Sequence, residues 1–371
     1  MTGRLTIVHT ESSCGWGGQE LRTLTEAAGM LKRGHRVLLL CPTEAPMHAR
    51  AVKLGVPVEA LPIARKRVRG FIALRNWLQA HPDIDVLNTH SSTDTWLAAL
   101  ACATLRRAPP IVRTRHVSTP VNNRAPTRWL YQRATRHIVT AGEALKQQLI
   151  RDNHFDAARI TSVPTGIDLT RYTPRERAES RRLLGLDPQR KYLGIVATLR
   201  NWKGHTYLLE AFAQLAPRHS DWDLVLVGDG PQRHNLEKLV GILNLENRVR
   251  LVGNRDDVER WLDAFDVFVL PSYGEEGVSQ SVMQAMATGL PVVATTVGAM
   301  AEAVKHQITG LLVPPRNTEA LHDVLARLMR DDTLRHHFGA AGLDYARRHF
   351  GIEPMLTRME AVFRKVHGEK S

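Results

Sequence analysis

The residues best suited to chemistry lie in residues 271–294, where a short apolar run, a tight loop and a helical pattern follow one another. Ser279 is a favoured residue at the start of a helix and Gly289 at its end, so the spacing predicts a helix between them. The first turn of a helix has unpaired N–H groups and a partial positive charge, which suit a diphosphate. Glu276, just before this helix, could accept hydrogen bonds from sugar hydroxyl groups. The segment therefore indicates a site for a phosphorylated sugar.

The same segment resembles the donor-site signature of family 4 retaining glycosyltransferases, which have the GT-B fold. That signature has two glutamates eight residues apart, and here Glu276 matches the first while Gln284 replaces the second. The resemblance implies that Glu276 anchors the donor sugar and that the helix start at Val278 and Ser279 binds the diphosphate. It also implies that residue 284 holds the ribose, and an amide can still donate and accept hydrogen bonds there. The remaining matches are Ala285, Ala287, Gly289, Pro291 and Val292.

A second segment, residues 197–204, resembles the family's Gly-Arg-Leu-x-x-x-Lys-Gly motif, whose arginine and lysine neutralise the departing diphosphate. Lys203 and Gly204 match this motif, whereas Thr198 stands at the arginine position. Arg200 lies two residues further on, and its guanidinium could make a bidentate phosphate contact. The alternative for both bases, and especially for Arg200, is an ordinary charged side chain in solvent.

Further positions match family segments close to the nucleotide. Gly17 and Gly18 follow the first apolar run and resemble a Gly-Gly loop near the donor phosphates and the acceptor, where glycine permits close backbone approach. Glu20 stands where a Gly-x-Gly-x-x-Gly fingerprint requires its third glycine, which argues against dinucleotide binding. The resemblance implies that Gly228 also lies near the nucleotide and that the backbone around Val252 contacts the base.

Two histidines follow predicted strands of the first half of the chain. His116 matches the histidine that family members place beside the donor sugar, and His90 lies near another family position. Arg113 and Arg115 flank this region and are candidates for contact with an anionic acceptor. A histidine at a strand end is more often a structural hydrogen-bonding residue, and this alternative stays open for both histidines.

These motifs must be positioned by parallel sheets, because short apolar runs alternate with helical patterns along the whole chain. The alternation restarts after residues 163–174, where prolines and a glycine interrupt it. The sequence thus predicts an α/β protein of the GT-B class, with two facing Rossmann-like, doubly wound parallel-sheet domains and an inter-domain cleft at the carboxyl ends of the strands. The predicted strands are Leu5–Val8, Val37–Leu40, Ile84–Leu87, Ile111–Val112 and Ile138–Val139, then Leu193–Ala197, Leu224–Val227, Val249–Val252, Val267–Leu270, Val292–Ala294 and Leu311–Val313.

Three regions are expected. Residues 1–167 form a Rossmann-like acceptor-binding domain, and residues 168–345 form a Rossmann-like domain that binds the nucleotide-sugar donor. Residues 346–371 form a helical segment that packs back on the first domain. A chain of 371 residues is long enough for two such domains.

The positive charge of the chain is concentrated in its first half. Residues 1–170 contain 23 Lys and Arg against 12 Asp and Glu, a balance of +11, whereas residues 171–371 contain 27 against 25, a balance of +2. No acidic residue lies between Asp94 and Glu143. This asymmetry favours an anionic partner for the first half, such as a lipid surface, a phosphorylated acceptor or nucleic acid. A basic but merely solvated surface is the alternative.

Residues 65–78 combine bases with an apolar side, which predicts an interfacial membrane contact. Phe71, Leu74 and Leu78 share one helical face, Trp77 borders it, and most of the bases precede it. Each Lys or Arg near an anionic leaflet contributes about 1 kcal/mol to binding. An ordinary packed helix after a solvated loop is nearly as consistent with this pattern.

Other features narrow the class of protein. No apolar run approaches the roughly 18 residues of a membrane span, and the first residues lack the features of a secretion signal. Three scattered cysteines predict neither a disulfide framework nor a metal knuckle. Asp83-Ile-Asp85 and Asp221-Trp-Asp223 precede apolar strands, the wrong end for the cleft, so no metal is expected. We therefore expect a cytoplasmic protein peripheral to the inner face of the membrane.

These observations predict a metal-independent, retaining glycosyltransferase of the hexosyltransferase type, with a UDP- or GDP-sugar as co-substrate and no cofactor. Its expected acceptor is lipid-linked or saccharide, in the synthesis of lipopolysaccharide or another cell-surface polysaccharide, and nucleic acid is not an expected partner. A nucleotide-sugar 2-epimerase of the same architecture, an NAD-dependent oxidoreductase and a non-enzymatic membrane-associated protein on a GT-B scaffold are the alternatives. The sugar, the base, the linkage and the oligomeric state leave no trace in the sequence.

Overall fold

The computed structural model describes residues 3–116, 119–274 and 277–368. The chain divides into two compact units: Met1–Gly166 together with Ile352–Ser371, and Ile167–Gly351. Each unit has a single parallel β-sheet with helices packed against it.

The sheet of the first unit has seven strands in the order β3-β2-β1-β4-β5-β6-β7. The order reverses between β1 and β4, where His9 pairs with Asn88 and Thr10 with Thr89. Ligands of such open sheets bind at this reversal, beyond the carboxyl ends of the strands. The strands are β1 Thr6–Thr10, β2 Arg36–Cys41, β3 Val58–Ala60, β4 Val86–Thr89, β5 Ile111–Arg115, β6 Thr135–Thr140 and β7 Ile160–Ser162.

Helices cover both faces of this sheet, and neighbouring residues of β1 show why its apolar run is continuous. Ile7 belongs to the core on one face and Val8 to the core on the other, so each successive position must be apolar. The helices are α1 Gly18–Lys32, α2 Pro46–Lys53, α3 Val68–Ala80, α4 Ser92–Ala103, α5 Ala125–Trp129, α6 Glu143–Asn153 and, from the end of the chain, α15 Ile352–Gly368. A π-helical turn, Leu130–Ala134, follows α5.

The last helix is part of the first unit through its contact with α1. A Cβ atom at Gly29 of α1 would lie 2.4 Å from Leu356 Cδ1, so the glycine lets the two helices approach closely. Met355, Met359 and Phe363 of α15 complete the same apolar cluster.

The second unit repeats the design with six strands in the order β10-β9-β8-β11-β12-β13, and its order reverses between β8 and β11. Its strands are β8 Lys191–Val196, β9 Trp222–Val227, β10 Val249–Leu251, β11 Val267–Leu270, β12 Val292–Thr295 and β13 Gly310–Val313. Its helices are α7 Arg177–Leu183, α8 His205–Leu215, α9 Arg233–Ile242, α10 Val258–Ala264, α11 Gln280–Ala287, α12 Met300–Ala303, α13 Thr318–Arg330 and α14 Asp332–His349.

The predicted α/β class with two parallel, Rossmann-like sheets is confirmed, and all six predicted strands of the second sheet are present. Two strands of the first sheet were missed, Val58–Ala60 and Ile160–Ser162. Both are three residues long and lie at the edges of the sheet, where few positions are buried.

Candidate active site

At the reversal of the second sheet, the loops that follow β8 and β11 are joined through one backbone carbonyl. The Trp202 carbonyl oxygen accepts hydrogen bonds from the Ser272 hydroxyl at 2.7 Å and from the Tyr273 N–H at 2.8 Å. Gly204 has a left-handed φ of 78°, and a Cβ atom there would lie 1.9 Å from the Pro271 oxygen. Only glycine fits this backbone. The loop that carries Lys203 is therefore fixed to the start of segment 271–294.

The two candidate bases of this loop differ in their surroundings. Lys203 is half-buried and ends the short helical turn 201–203, just before Gly204. Arg200 is exposed, and its guanidinium lies 5.1 Å from the centre of the Trp202 ring, a cation–π distance. Thr198, which stands at the family's arginine position, is also exposed. The structure therefore places Lys203 next to the part of the loop that is hydrogen-bonded to residues 272–273, and Arg200 at the surface of the loop.

Segment 271–294 has the predicted helix. Helix α11 begins at Gln280 after an extended Ser279 and ends before Gly289, which has a left-handed φ of 76°. Val278 is buried against the core, and the side chain of Ser279 lies 3.2 Å from the Ser281 hydroxyl. Glu276, the predicted anchor of the donor sugar, lies outside the described residues.

Gln284 lies on the second turn of α11 and is 6% exposed. Within the described residues its side-chain amide makes no hydrogen bond, while its backbone oxygen accepts from Thr288 at 3.0 Å. An enclosed amide without a protein partner has its donor and acceptor available for a ligand.

Gly228 and Val252 lie beyond the neighbouring strands β9 and β10. A Cβ atom at Gly228, whose φ is 138°, would lie 2.0 Å from the Ala197 oxygen at the end of β8. Gly228 also donates its N–H to the Gly253 oxygen at 2.8 Å, and Val252 donates to the Leu226 oxygen at 3.0 Å. The structure thus gives Gly228 a packing role. It lies at the carboxyl ends of the strands, where the family resemblance places the nucleotide.

His205, the first residue of α8, was missed by the sequence reasoning although it follows Lys203-Gly204 directly. It is 2% exposed, and neither ring nitrogen has a hydrogen-bond partner in the described part of the chain. Burial, helped by the charge of Lys203, lowers the pKa of His205 to about 4. The ring is therefore neutral at pH 7.

At the reversal of the first sheet, three histidines form a hydrogen-bonded row, called the histidine row below. His9 Nδ1 lies 2.9 Å from His90 Nε2, and His90 Nδ1 lies 3.0 Å from His116 Nε2. The rings are also stacked, with centroids 5.2 and 5.3 Å apart. The structure thus brings the predicted His90 and His116 together and adds His9, which the sequence reasoning missed.

Two buried carboxyl groups follow the same strands, Glu11 after β1 and Asp94 after β4. Asp94 accepts from the Thr10 hydroxyl at 2.8 Å and from the His90 N–H at 2.9 Å, so it ties the end of β1 to the end of β4. Glu11 accepts from the Ser13 N–H at 2.8 Å and from the Gln19 side chain at 2.5 Å. Burial, with the nearby charge of Asp94, raises the pKa of Glu11 to about 8. Nothing in the spacing of these residues signals their meeting, because they come from different strand ends.

Arg113 and Arg115, the candidate acceptor contacts, are largely enclosed. Arg113 donates to the Ser91 oxygen at 3.3 Å and to the Thr95 hydroxyl, and Arg115 donates to the Tyr131 hydroxyl at 2.6 Å. Burial alone would raise the pKa of Tyr131, but the two guanidinium groups lower it below its usual value. Both arginines organise the region around His116, and their contact with an acceptor stays a prediction.

The glycine loop of the first unit is open. Gly17 is extended with a φ of −170°, and a Cβ atom there would touch only Glu20, at an ordinary 3.5 Å. Neither Gly17 nor Gly18 has a left-handed φ. Packing therefore does not require glycine at position 17, and the absence of a side chain there leaves room for a ligand at this turn.

The apolar face predicted for a membrane is wrong in part. Leu74 and Leu78 of α3 are fully buried in the core, and the Trp77 indole donates to Glu59 at 2.7 Å. The exposed apolar residues of this helix are Val68 and Ile72 instead, 73% and 48% exposed. The face of α3 that repeats in the sequence is thus used for packing, because the helix lies on the sheet and on α4.

Exposed bases, in contrast, are present as the sequence predicts. The exposed arginines of the stretch without acidic residues are Arg106, Arg107, Arg124, Arg128, Arg133 and Arg136. Among the described residues there is neither a helix long and apolar enough to cross a membrane nor a group of three His, Cys, Asp or Glu placed to hold a metal ion.

Each unit has a parallel sheet with candidate binding groups at the point where its strand order reverses: the joined loops of Lys203 and Ser272 in one, the histidine row in the other. This arrangement defines a two-domain, Rossmann-like ligand-binding protein. Family models match both units: Glycosyltransferase Family 4 over residues 16–171 and Glycosyl transferases group 1 over residues 190–331. The chain is 30% identical over 263 residues to the lipopolysaccharide core biosynthesis mannosyltransferase LpsB of Rhizobium meliloti (strain 1021), covering 68% of this chain and 72% of that protein.

A second relative, the D-inositol 3-phosphate glycosyltransferase of Pseudarthrobacter chlorophenolicus, is 30% identical over 310 residues, 77% of this chain and 72% of that protein. The solved structure of Anabaena Alr3699/HepE in complex with UDP-glucose has a TM-score of 0.86 at 22% identity and covers 98% of this chain and 100% of that one. The chain belongs to the family 4 glycosyltransferases and has the GT-B fold. It is a glycosyltransferase.

Proposed function

We propose that this enzyme transfers a sugar from a nucleotide diphosphate, UDP or GDP, to a lipid-linked or saccharide acceptor with retention at the anomeric carbon. The observation that carries this proposal is the joined loop pair at the reversal of the second sheet. It attaches Lys203 to the segment that leads into the start of α11. A cation and a helix start at one strand edge are suited to the charge of a departing diphosphate.

In the proposed reaction, Lys203 and the backbone N–H groups at the start of α11 stabilise the negative charge that develops as the bond from sugar to diphosphate breaks. Glu276 holds the hydroxyl groups of the donor sugar, and Gln284 holds the ribose. The acceptor hydroxyl attacks from the side of the leaving group, and its proton passes to a phosphate oxygen. Arg200 adds charge at the surface of the loop. This scheme assigns the chemistry to protein cations and N–H groups and requires neither metal nor cofactor.

The acceptor is proposed from the charge of the first unit. Its exposed arginines and its buried Arg113 and Arg115 suit an acceptor that carries phosphate. One relative is named for lipopolysaccharide core synthesis and the other for an inositol phosphate. We place this enzyme with the first, in lipopolysaccharide or other cell-surface polysaccharide synthesis at the inner face of the membrane. Binding to vesicles of anionic lipid at low salt, lost at high salt, is expected, and no binding at low salt would contradict the membrane location.

The donor assignment is tested by Glu276→Ala with Glu275→Ala as its matched control, since the two carboxylates are adjacent in the sequence. Transfer from the preferred nucleotide sugar is expected to fall about a hundredfold or more in E276A and to change little in E275A. A thermal-shift screen with UDP- and GDP-sugars first identifies the donor, because a bound ligand stabilises the native state. Full turnover in a folded E276A variant would overturn the assignment.

A further inference from the structure

The proposed reaction leaves His9, His90 and His116 without a role, although the three rings form one hydrogen-bonded row. His9 is on β1 and His90 follows β4, so the row crosses the reversal of the first sheet. His116 is its outermost member and is half-buried, while His9 and His90 are 0% and 3% exposed. The row thus runs from the interior of the first unit toward its strand edge.

Each contact in the row needs one protonated and one bare nitrogen. Burial lowers the pKa of His9 to about 3 and those of His90 and His116 well below their usual value, so all three rings are neutral at pH 7. A neutral imidazole carries one N–H. Only two arrangements satisfy both contacts: every ring protonated on Nδ1, or every ring protonated on Nε2.

The interior end of the row decides between these arrangements. His9 Nε2 is buried and has no hydrogen-bond partner in the described part of the chain, and the ring meets Phe363 edge to face at 6.4 Å. Protonation on Nε2 would place an N–H donor in this apolar position. A buried N–H without an acceptor is rarer and more costly than an acceptor nitrogen without a donor. The Nδ1 arrangement therefore has the lower free energy.

We propose that His9 and His90 are positioning residues that hold His116 in the Nδ1-protonated tautomer, so that His116 presents an N–H donor to an acceptor oxygen of the bound substrate. Within the described residues His116 Nδ1 has no protein partner, whereas its Nε2 lies 3.0 Å from His90 Nδ1. In the Nδ1 arrangement, His90 donates to this Nε2 and His116 keeps its own N–H on Nδ1. The oxygen belongs to a hydroxyl or a phosphate group of the substrate. This last step rests on the proposed function, whereas the tautomer itself is a property of the free protein.

Asp94 fixes the backbone from which the His90 ring extends. Its carboxylate accepts the backbone N–H of His90, just after β4, and the hydroxyl of Thr10, the last residue of β1. The two strand ends that carry His9 and His90 are thereby joined. A metal-binding or charged role for the row is not needed, because neutral rings already satisfy both contacts.

The tautomer is measured directly on the ligand-free protein labelled with ¹⁵N-histidine, by two-bond ¹H–¹⁵N correlation spectra that separate protonated from bare ring nitrogens. The His116 signals are assigned as those lost in His116→Gln. We expect His116 to carry its proton on Nδ1, and a proton on Nε2 in the native protein overturns the proposal even if no variant folds. Because no substrate is present, this result is independent of the proposed function.

Substitutions of His9 then test the effect on transfer. His9→Asn keeps a hydrogen-bond donor close to the position of His9 Nδ1. His9→Leu removes this donor, so that His90 and His116 can also adopt the Nε2-protonated arrangement. His137→Leu is the control, because His137 is a buried histidine of the same sheet, hydrogen-bonded to Thr161 and outside the row. In H9L we expect His116 to become a mixture of tautomers and kcat/KM for the donor to fall about tenfold, the value of one buried hydrogen bond.

The control readouts separate positioning from stability. H9N and H137L are expected to keep the native His116 tautomer and kcat/KM within about threefold of the native value. The pH profile of H9L keeps its shape, because a tautomer changes and no charge does. An unchanged His116 tautomer in folded H9L, or an equal loss of transfer in H137L, overturns the role of His9.

Discussion

The reversals of the two sheets hold candidate sites of different construction. In the second unit, main-chain atoms make the site: the Trp202 carbonyl joins two loops, and Gly204 and Gly228 allow close backbone packing. In the first unit, buried polar side chains make it: three histidine rings contact one another, Asp94 accepts from the Thr10 hydroxyl, and Glu11 accepts from the Gln19 side chain. A diphosphate can be bound by N–H groups and a cation alone, whereas the first unit orients its donors through a chain of side chains. The same sheet topology can therefore carry a candidate site made of main-chain atoms or one made of buried side chains.

The largest expected effect lies in the second unit. It tests whether Lys203 contributes its charge to the reaction and contributes little to the stability of the fold. Lys203→Ala removes the cation from a half-buried loop position, so we expect kcat to fall about 10²- to 10³-fold, as for the loss of one stabilising group in a transition state. The free energy of unfolding should change by about 1 kcal/mol or less, because the half-buried side chain lies on a loop and outside the hydrophobic core. Steady-state kinetics and thermal unfolding of the same preparation measure both quantities.

Arg200→Ala is the matched control, because it removes a second cation from the same loop. We expect it to lower kcat less than about tenfold, since its guanidinium lies on Trp202 at the surface. Equal losses in the two variants would show that the loop contributes only general positive charge. Native turnover in K203A would remove the loop from the reaction.

The second prediction concerns the first unit, where polar burial should make stability depend on pH. The folded pKa of Glu11, about 8, lies above its usual value of 4.5, so between these values the native state binds one more proton than the unfolded state. The contribution of Glu11 to stability is therefore present at low pH and is lost as the pH rises toward 8. In Glu11→Gln this decline should be absent. The difference in thermal midpoint, native protein minus E11Q, should therefore decrease as the pH rises from about 5 to about 8.

Glu44→Gln is the control for this prediction, because Glu44 is an exposed carboxylate of the same unit. Its midpoint should follow that of the native protein at every pH. Parallel curves for native protein and E11Q would contradict a protonated Glu11. They would also weaken the contrast between a polar, buried site and a main-chain site.

The same contrast explains what the sequence could predict. The second sheet was predicted strand by strand, and helix α11 from Ser279 and Gly289, because apolar runs and helix ends are local signals. Lys203 and Gly204 were singled out because they match the spacing of the family motif. The structure shows the loop on which they lie, and the contact of Lys203 with phosphate stays a prediction. His9, Glu11 and Asp94 were missed, since they meet only through the order β1-β4-β5, which is a property of the sheet and not of any segment.

Leu74 and Leu78 show the converse error. Their spacing marks an apolar face, but the spacing alone does not say whether that face meets a membrane or a sheet. The structure buries it against the first sheet and leaves Val68 and Ile72 exposed. Periodicity thus predicts which residues share a face, while the partner of that face depends on tertiary packing.

The smallest expected effect tests the one departure from the family signature inside the second unit. Gln284→Glu restores the second glutamate at a position that is 6% exposed. A carboxylate accepts stronger hydrogen bonds from two ribose hydroxyls than an amide does, so KM for the donor should fall about two- to fivefold. The free protein should lose about 1 kcal/mol of stability, because the described part of the chain offers the buried carboxylate no partner before the donor binds. Gln189→Glu, an exposed change of the same type, should alter neither quantity. A higher KM in Q284E would mean that the ligand requires the amide at this position. The site of the second unit would then depend on a side chain as well as on main-chain atoms, and so would resemble the site of the first unit.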